Sequence, residues 1–82
     1  MLASIATLRE DARASLQRGV SLGEAGEVGG AIEAHLTALA HDPSLVQAHA
    51  NLVGLYGRAQ DWSRAEEHYR TAVAQGFNNA DM

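Results

Sequence analysis

Sliding the chain along itself by 34 positions places Ala14 on Ala48, Ala31 on Ala65, Glu33 on Glu67, Ala38 on Ala72 and Ala40 on Ala74. The same offset sets Leu22 on Tyr56, Glu27 on Asp61, Val28 on Trp62 and Leu39 on Val73. Alanine coincidences are cheap in an alanine-rich chain. A mixed set of small, acidic and bulky residues at one offset is not. A period of this length marks a repeated supersecondary unit that cannot bury its apolar face alone and must stack on a neighbour.

The units read as helices. From Pro43 the apolar and ring-bearing positions Val46, His49, Leu52, Val53 and Tyr56 recur at spacings of about three and four, which makes one stripe. Trp62, Ala65, Tyr69, Ala72 and Val73 make the next. In the first half, Leu16, Val20 and Leu22 lead to a break near Gly26. Val28, Ala31, Ile32, His35, Ala38 and Leu39 then run to Asp42-Pro43. Asp61 suits an N-cap, because its carboxylate can accept from first-turn amides. Gly76 suits a left-handed C′ position, with Phe77 placed for the apolar contact that follows it. Pro43 is expected at the first position of the third helix, where its missing N–H costs nothing. Leu2, Ile5, Leu8, Ala12 and Leu16 continue one face, so the first helix is either unusually long or preceded by a short one ending near Glu10-Asp11. No stretch alternates over strand length, and the expected class is all-α.

These residues resemble the tetratricopeptide-repeat (TPR) family. Leu52, Tyr56, Ala65, Tyr69 and Ala72 of the second repeat match its pattern, with Asn51 and Asp61-Trp62 in support. Gly19, Leu22, Ala31, Ala38 and Pro43 match in the first. The resemblance implies a right-handed superhelical stack of antiparallel helix pairs, an α-α superhelix of about four helices. It divides a single domain, residues 1–82, into an N-terminal helical extension (1–11), repeat 1 (12–45), repeat 2 (46–79) and a tail (80–82). Ser15 and His49 stand where the family has a large first residue, Arg18 where it has leucine, His35 where it has an aromatic, and Phe77 where it has the closing proline.

In that family the first helix of each repeat lines a concave groove. The resemblance therefore implies a peptide-binding groove at Arg13, Gln17, Val20, Glu24, Gln47, Asn51, Gly54 and Arg58, with Leu16 and Ala50 beside them. Gln47, Asn51 and Arg58 offer amide and guanidinium donors for an extended backbone or a carboxylate. Asn51 fits a family clamp for terminal carboxylates, but Leu16 and Ala50 occupy its lysine positions. The implied function is a protein–protein interaction module, an adaptor without catalytic chemistry. Two alternatives stand beside it. One is assembly through an uncapped last helix, with Trp62, Val73 and Phe77 as the surface and a homo-oligomer or further repeats as partner. The other is an accessory domain of a larger enzyme.

Composition narrows the remaining classes. The 82-residue chain carries a net charge of −4 with six scattered arginines and no lysine. That balance disfavours nucleic acid, which needs clustered cations. Abundant alanine and arginine without lysine match the coding bias of a GC-rich bacterium. No cysteine is present, which excludes disulfides and thiolate sites. The first residues lack signal-peptide character and no run is long enough to span a bilayer, so a soluble, cytoplasmic protein is expected. The Gly23–Gly30 stretch has neither the preceding strand nor the lysine of a phosphate loop, and Glu24 and Glu27 oppose an anion. His35, His41, His49 and His68 lack zinc-site spacing. His35 and His49 are expected near the core and near each other, and His68 on an exposed face with Glu67 and Arg64. No cofactor or metal is expected.

Overall fold

The computed structural model describes the backbone of residues 5–76 and the side chains of residues 10–76. Among these, four helices follow one another: α1 (Ile5–Glu24), α2 (Val28–His41), α3 (Val46–Arg58) and α4 (Trp62–Ala74), with no strand. α1 runs without a break through Glu10 and Asp11, so among the described residues no separate short helix ends there. Phe77 and the tail at 80–82 lie outside the described residues.

The internal repeat is written into the helix ends. After α1, Gly26 takes a positive φ of 84°. Its N–H donates to the carbonyl of Gly23 at 3.1 Å, and the N–H of Glu27 donates to that of Leu22 at 2.9 Å. This is a Schellman closure, which satisfies carbonyls that the helix leaves unpaired. After α3 the same closure recurs 34 residues on. Gln60 has φ 62°, its N–H reaches Gly57 O at 3.0 Å, and Asp61 N–H reaches Tyr56 O at 2.8 Å. Gln60 does without glycine a job that glycine does at no steric cost. Gln60→Gly should therefore raise stability by about 0.5–1 kcal/mol. An unchanged or lowered unfolding midpoint in urea would speak against this.

Asp61 caps α4 as expected, accepting from the Arg64 N–H at 3.3 Å and from its guanidinium at 2.6 Å. These bonds hold the Asp61 carboxyl below its ordinary range. Gly76 takes the left-handed conformation, φ 108°. Pro43 differs from expectation: it stops α2 but lies in the turn before α3, whose N-cap is Leu45. The cause is local. The Asp42 carboxylate accepts from the Ser44 N–H (3.1 Å) and hydroxyl (2.6 Å), closing an Asx turn over the proline.

The pairs α1/α2 and α3/α4 each pack antiparallel, and small residues set the spacing. Ala12, Ala31, Ala38, Ala48, Ala65 and Ala72 are buried, which lets backbones approach. Leu16, Ala38 and Ala48 join α1, α2 and α3. Leu52 is fully buried with Tyr56 and Ala65, covered by Ile32 and Leu39 of α2. The two pairs therefore share one core.

The α4 stripe is covered only in part. Only Ala65 and Ala72 of it are buried. Trp62 is 66 %, Tyr69 47 % and Val73 43 % exposed. One repeat earlier Val28 and Leu39 are half-buried and His35 is buried: Leu39 packs on the α3–α4 cluster, and His35 lies against Gly19 of α1. Among the described residues nothing occupies the corresponding place beyond α4.

His68 is also corrected. It is half-buried, not on an open face, and His49 pairs with it rather than with His35. The His49 and His68 Nδ1 atoms stand 3.0 Å apart, and the His68 ring stacks on Tyr56 with centroids 5.6 Å apart at 13°. His49 Nε2 lies 3.3 Å from the Pro43 carbonyl, which can only accept. With the proton on Nε2, His49 Nδ1 is the acceptor and His68 Nδ1–H the donor. Gln75 donates to the same Pro43 carbonyl at 3.1 Å, so one oxygen ties α3 and α4 to the α2–α3 turn.

Candidate functional site

α1 and α3 run side by side in the same direction. Leu16 meets the Ala48 layer at one end, and Arg58 donates to the Gly23 carbonyl at 3.3 Å at the other. Between them lies a cleft of about 310 Å³ lined by Val20, Glu24, Asn51, Gly54 and Arg58, with Gly19, Gly23, His35 and Leu55 completing it. A second hollow of about 440 Å³ is lined by Arg13, Gln17, Val20 and Gln47, with Leu16 and Ser21. Val20 belongs to both. All eight groove residues named from the sequence thus lie along one surface, divided between two adjoining clefts.

Three glycines shape the first cleft, each in a different way. At Gly54 an added Cβ would meet nothing within 4 Å, so this position is open space on the α3 wall. At Gly23 it would touch Leu55 at an ordinary 3.6 Å. At Gly19 it would come within 2.7 to 2.9 Å of three atoms of the His35 ring. Glycine at 19 is therefore required for His35 to lie flat between α1 and α2.

His35 forms part of the cleft lining and was not among the groove residues expected from sequence. It is 1 % exposed, and its Nδ1 is buried without a hydrogen-bond partner. Burial disfavours the charged ring and lowers its pKa. The sequence signal was present in part, since histidine stands there in place of a packing aromatic. What it faces depends on Gly19, on another helix.

Acid should destabilise the fold through these histidines. Burial also lowers the pKa of His68, and the neighbouring His49 adds to this while Glu67 partly opposes it. Both rings are held neutral in the fold, so the unfolded chain binds more protons once pH drops below the ordinary histidine value of 6.5. Stability is then full above about pH 7 and declines on acidification toward the lowered folded values. Thermal unfolding followed by circular dichroism should give a midpoint that falls from pH 7 to pH 5, less steeply in His68→Gln. A flat profile would contradict it.

The electrostatics differ along the groove. The second hollow is lined by the donors Arg13, Gln17 and Gln47 and by no carboxylate. The first is largely apolar, with Glu24 and Arg58 at its rim. Neither Glu24 nor Arg13 forms an ion pair among the described residues, where the salt bridges are Arg64–Asp61 and Arg70–Glu66 on α4. Of the expected assembly surface, Trp62 and Val73 are exposed on α4, and Phe77 lies outside the described residues. No group of three or more metal-ligating side chains comes together among the described residues, and no helix there is long and apolar enough to cross a membrane. No family model, curated protein or solved structure matches this chain.

Proposed function

We propose that the chain is a pair of tetratricopeptide-type repeats, a short piece of right-handed superhelix, that holds an extended segment of another protein along the α1–α3 face. One observation carries the reading: the eight residues assigned to the groove line two clefts that meet at Val20. Two short helix pairs bury a small core, and a chain of this size has little stability to spare. Even so, glycines stand in helical positions at 23 and 54 on this surface, where alanine would stabilise the helix by about 1 kcal/mol. Gly29 of α2 is equally open and lines neither cleft, so openness alone does not mark a site; Gly54 differs in lying on the cleft wall, where its missing side chain leaves room for a ligand.

The test uses Gly54→Leu, which fills open space without disturbing a packed neighbour. Helicity and unfolding midpoint should hold or rise. Protein captured by the immobilised chain from a native extract should be lost with Gly54→Leu and with the Asn51→Ala, Arg58→Ala pair, but kept with Trp62→Ser. Capture that survives Gly54→Leu would overturn the groove reading.

A second reading rests on Trp62, Tyr69 and Val73. They expose what Val28, His35 and Leu39 cover one repeat earlier, so α4 can stack on another helix. That assembly role predicts an oligomer in sedimentation that Trp62→Ser dissociates.

A further inference from the structure

The two clefts are unlike each other, and their spacing and charge select a ligand. We infer that the groove takes an extended segment with a carboxylate side chain and a large apolar side chain about four residues apart. This inference rests on the groove reading above and specifies its ligand.

Charge assigns each side chain to its cleft. Arg13, Gln17 and Gln47 present N–H donors to the second hollow, no carboxylate lines it, and Arg13 has no ion-pair partner among the described residues. An acidic side chain placed there gains charge-assisted hydrogen bonds. The first cleft is walled mainly by Gly19, Val20, Gly23, Gly54 and Leu55, and the Glu24 carboxylate and Arg58 guanidinium that also line it offset one another, with Arg58 already donating to the Gly23 carbonyl. It favours an apolar side chain over a second acid.

Spacing sets the register. Arg13 precedes Val20 by about two helical turns and Gly23 by nearly three, which is roughly 10 to 15 Å along the axis. An extended chain advances about 3.3 Å per residue and returns its side chains to the same face at every second residue, so the fourth residue on lies about 13 Å away and faces the same surface. The third faces away.

The probes are short fluorescein-labelled peptides, acetylated and amidated, in a serine-glycine background. One carries aspartate four positions before phenylalanine, and one carries the reverse order. Binding to the whole chain is followed by fluorescence anisotropy. One of the two should bind in the micromolar range. Phenylalanine→alanine should weaken it about tenfold or more. Aspartate→asparagine should weaken it several-fold at low salt and less at high salt. Moving the residues to three positions apart should cost as much as losing one of them. Arg13→Ser should abolish the aspartate preference while keeping the phenylalanine preference. Peptides that bind in a Gly54→Leu-sensitive way, yet ignore the aspartate or its spacing, would overturn this inference and leave the groove reading standing. Binding that ignores Gly54→Leu, or no binding of any probe at millimolar concentration, would overturn the inference through the groove reading itself.

Discussion

Leu52→Ala is expected to lower stability by about 2–5 kcal/mol and to leave much of the chain unfolded at room temperature. The side chain is fully buried, between Tyr56 and Ala65 with Ile32 and Leu39 over it. Truncation removes the transfer free energy of the lost methyl groups and opens a cavity that helices already in close approach through alanines cannot refill. The site also holds the second helix pair to α2, so cooperativity between the pairs should suffer along with the midpoint. Against a total of about 5 kcal/mol for so small a domain, the loss is decisive. Leu36 on α2 is 40 % exposed, and Leu36→Ala should cost no more than about 0.5 kcal/mol. Urea unfolding of the two variants checks the contrast. Equal small losses would mean that the shared core is not what holds the stack.

Gly19→Leu should cost about 3 kcal/mol or more, whereas Gly54→Leu should be neutral or stabilising by a few tenths to about 0.7 kcal/mol. Both glycines are helical and both gain a better helix former. They differ in what the new side chain meets. At 19 the first added carbon already stands within 2.9 Å of the His35 ring, so the ring must leave its buried place against α1. At 54 it meets nothing within 4 Å. Adding His35→Ala to Gly19→Leu should recover part of the loss, giving a coupling energy of about 1 kcal/mol or more. Additive losses would mean that the ring is not the obstacle.

Much of the helix pattern was legible because it is local. Gly26, Asp61 and Gly76 end or begin helices through bonds to residues a few positions away, and the 34-residue offset carries one closure onto the other. Pro43 was misplaced because the neighbouring Asp42 carboxylate makes its own turn, a choice that proline's φ alone does not settle. The surroundings of the histidines were not legible. His68 meets His49 across two helices, and His35 lies against Gly19 across another pair. An apolar stripe also does not say whether it is covered. Trp62, Tyr69 and Val73 keep helical spacing, yet only a further layer would bury them. That Arg13, Gln17, Val20, Glu24, Gln47, Asn51, Gly54 and Arg58 share a surface follows from the repeat once α1 and α3 run in parallel, whereas what that surface binds is not written in the spacing.

A ligand held between α1 and α3 changes the surroundings of both helices. Amide chemical-shift mapping tests it most directly, by titrating the isotope-labelled chain with a captured partner segment or the aspartate–phenylalanine peptide. The amides of Gly19, Gly23 and Gly54 and the side-chain amide of Asn51 should shift together while the Trp62 indole N–H stays in place. A shift of the Trp62 indole with the three glycines unmoved would place the ligand on the open α4 face and contradict it.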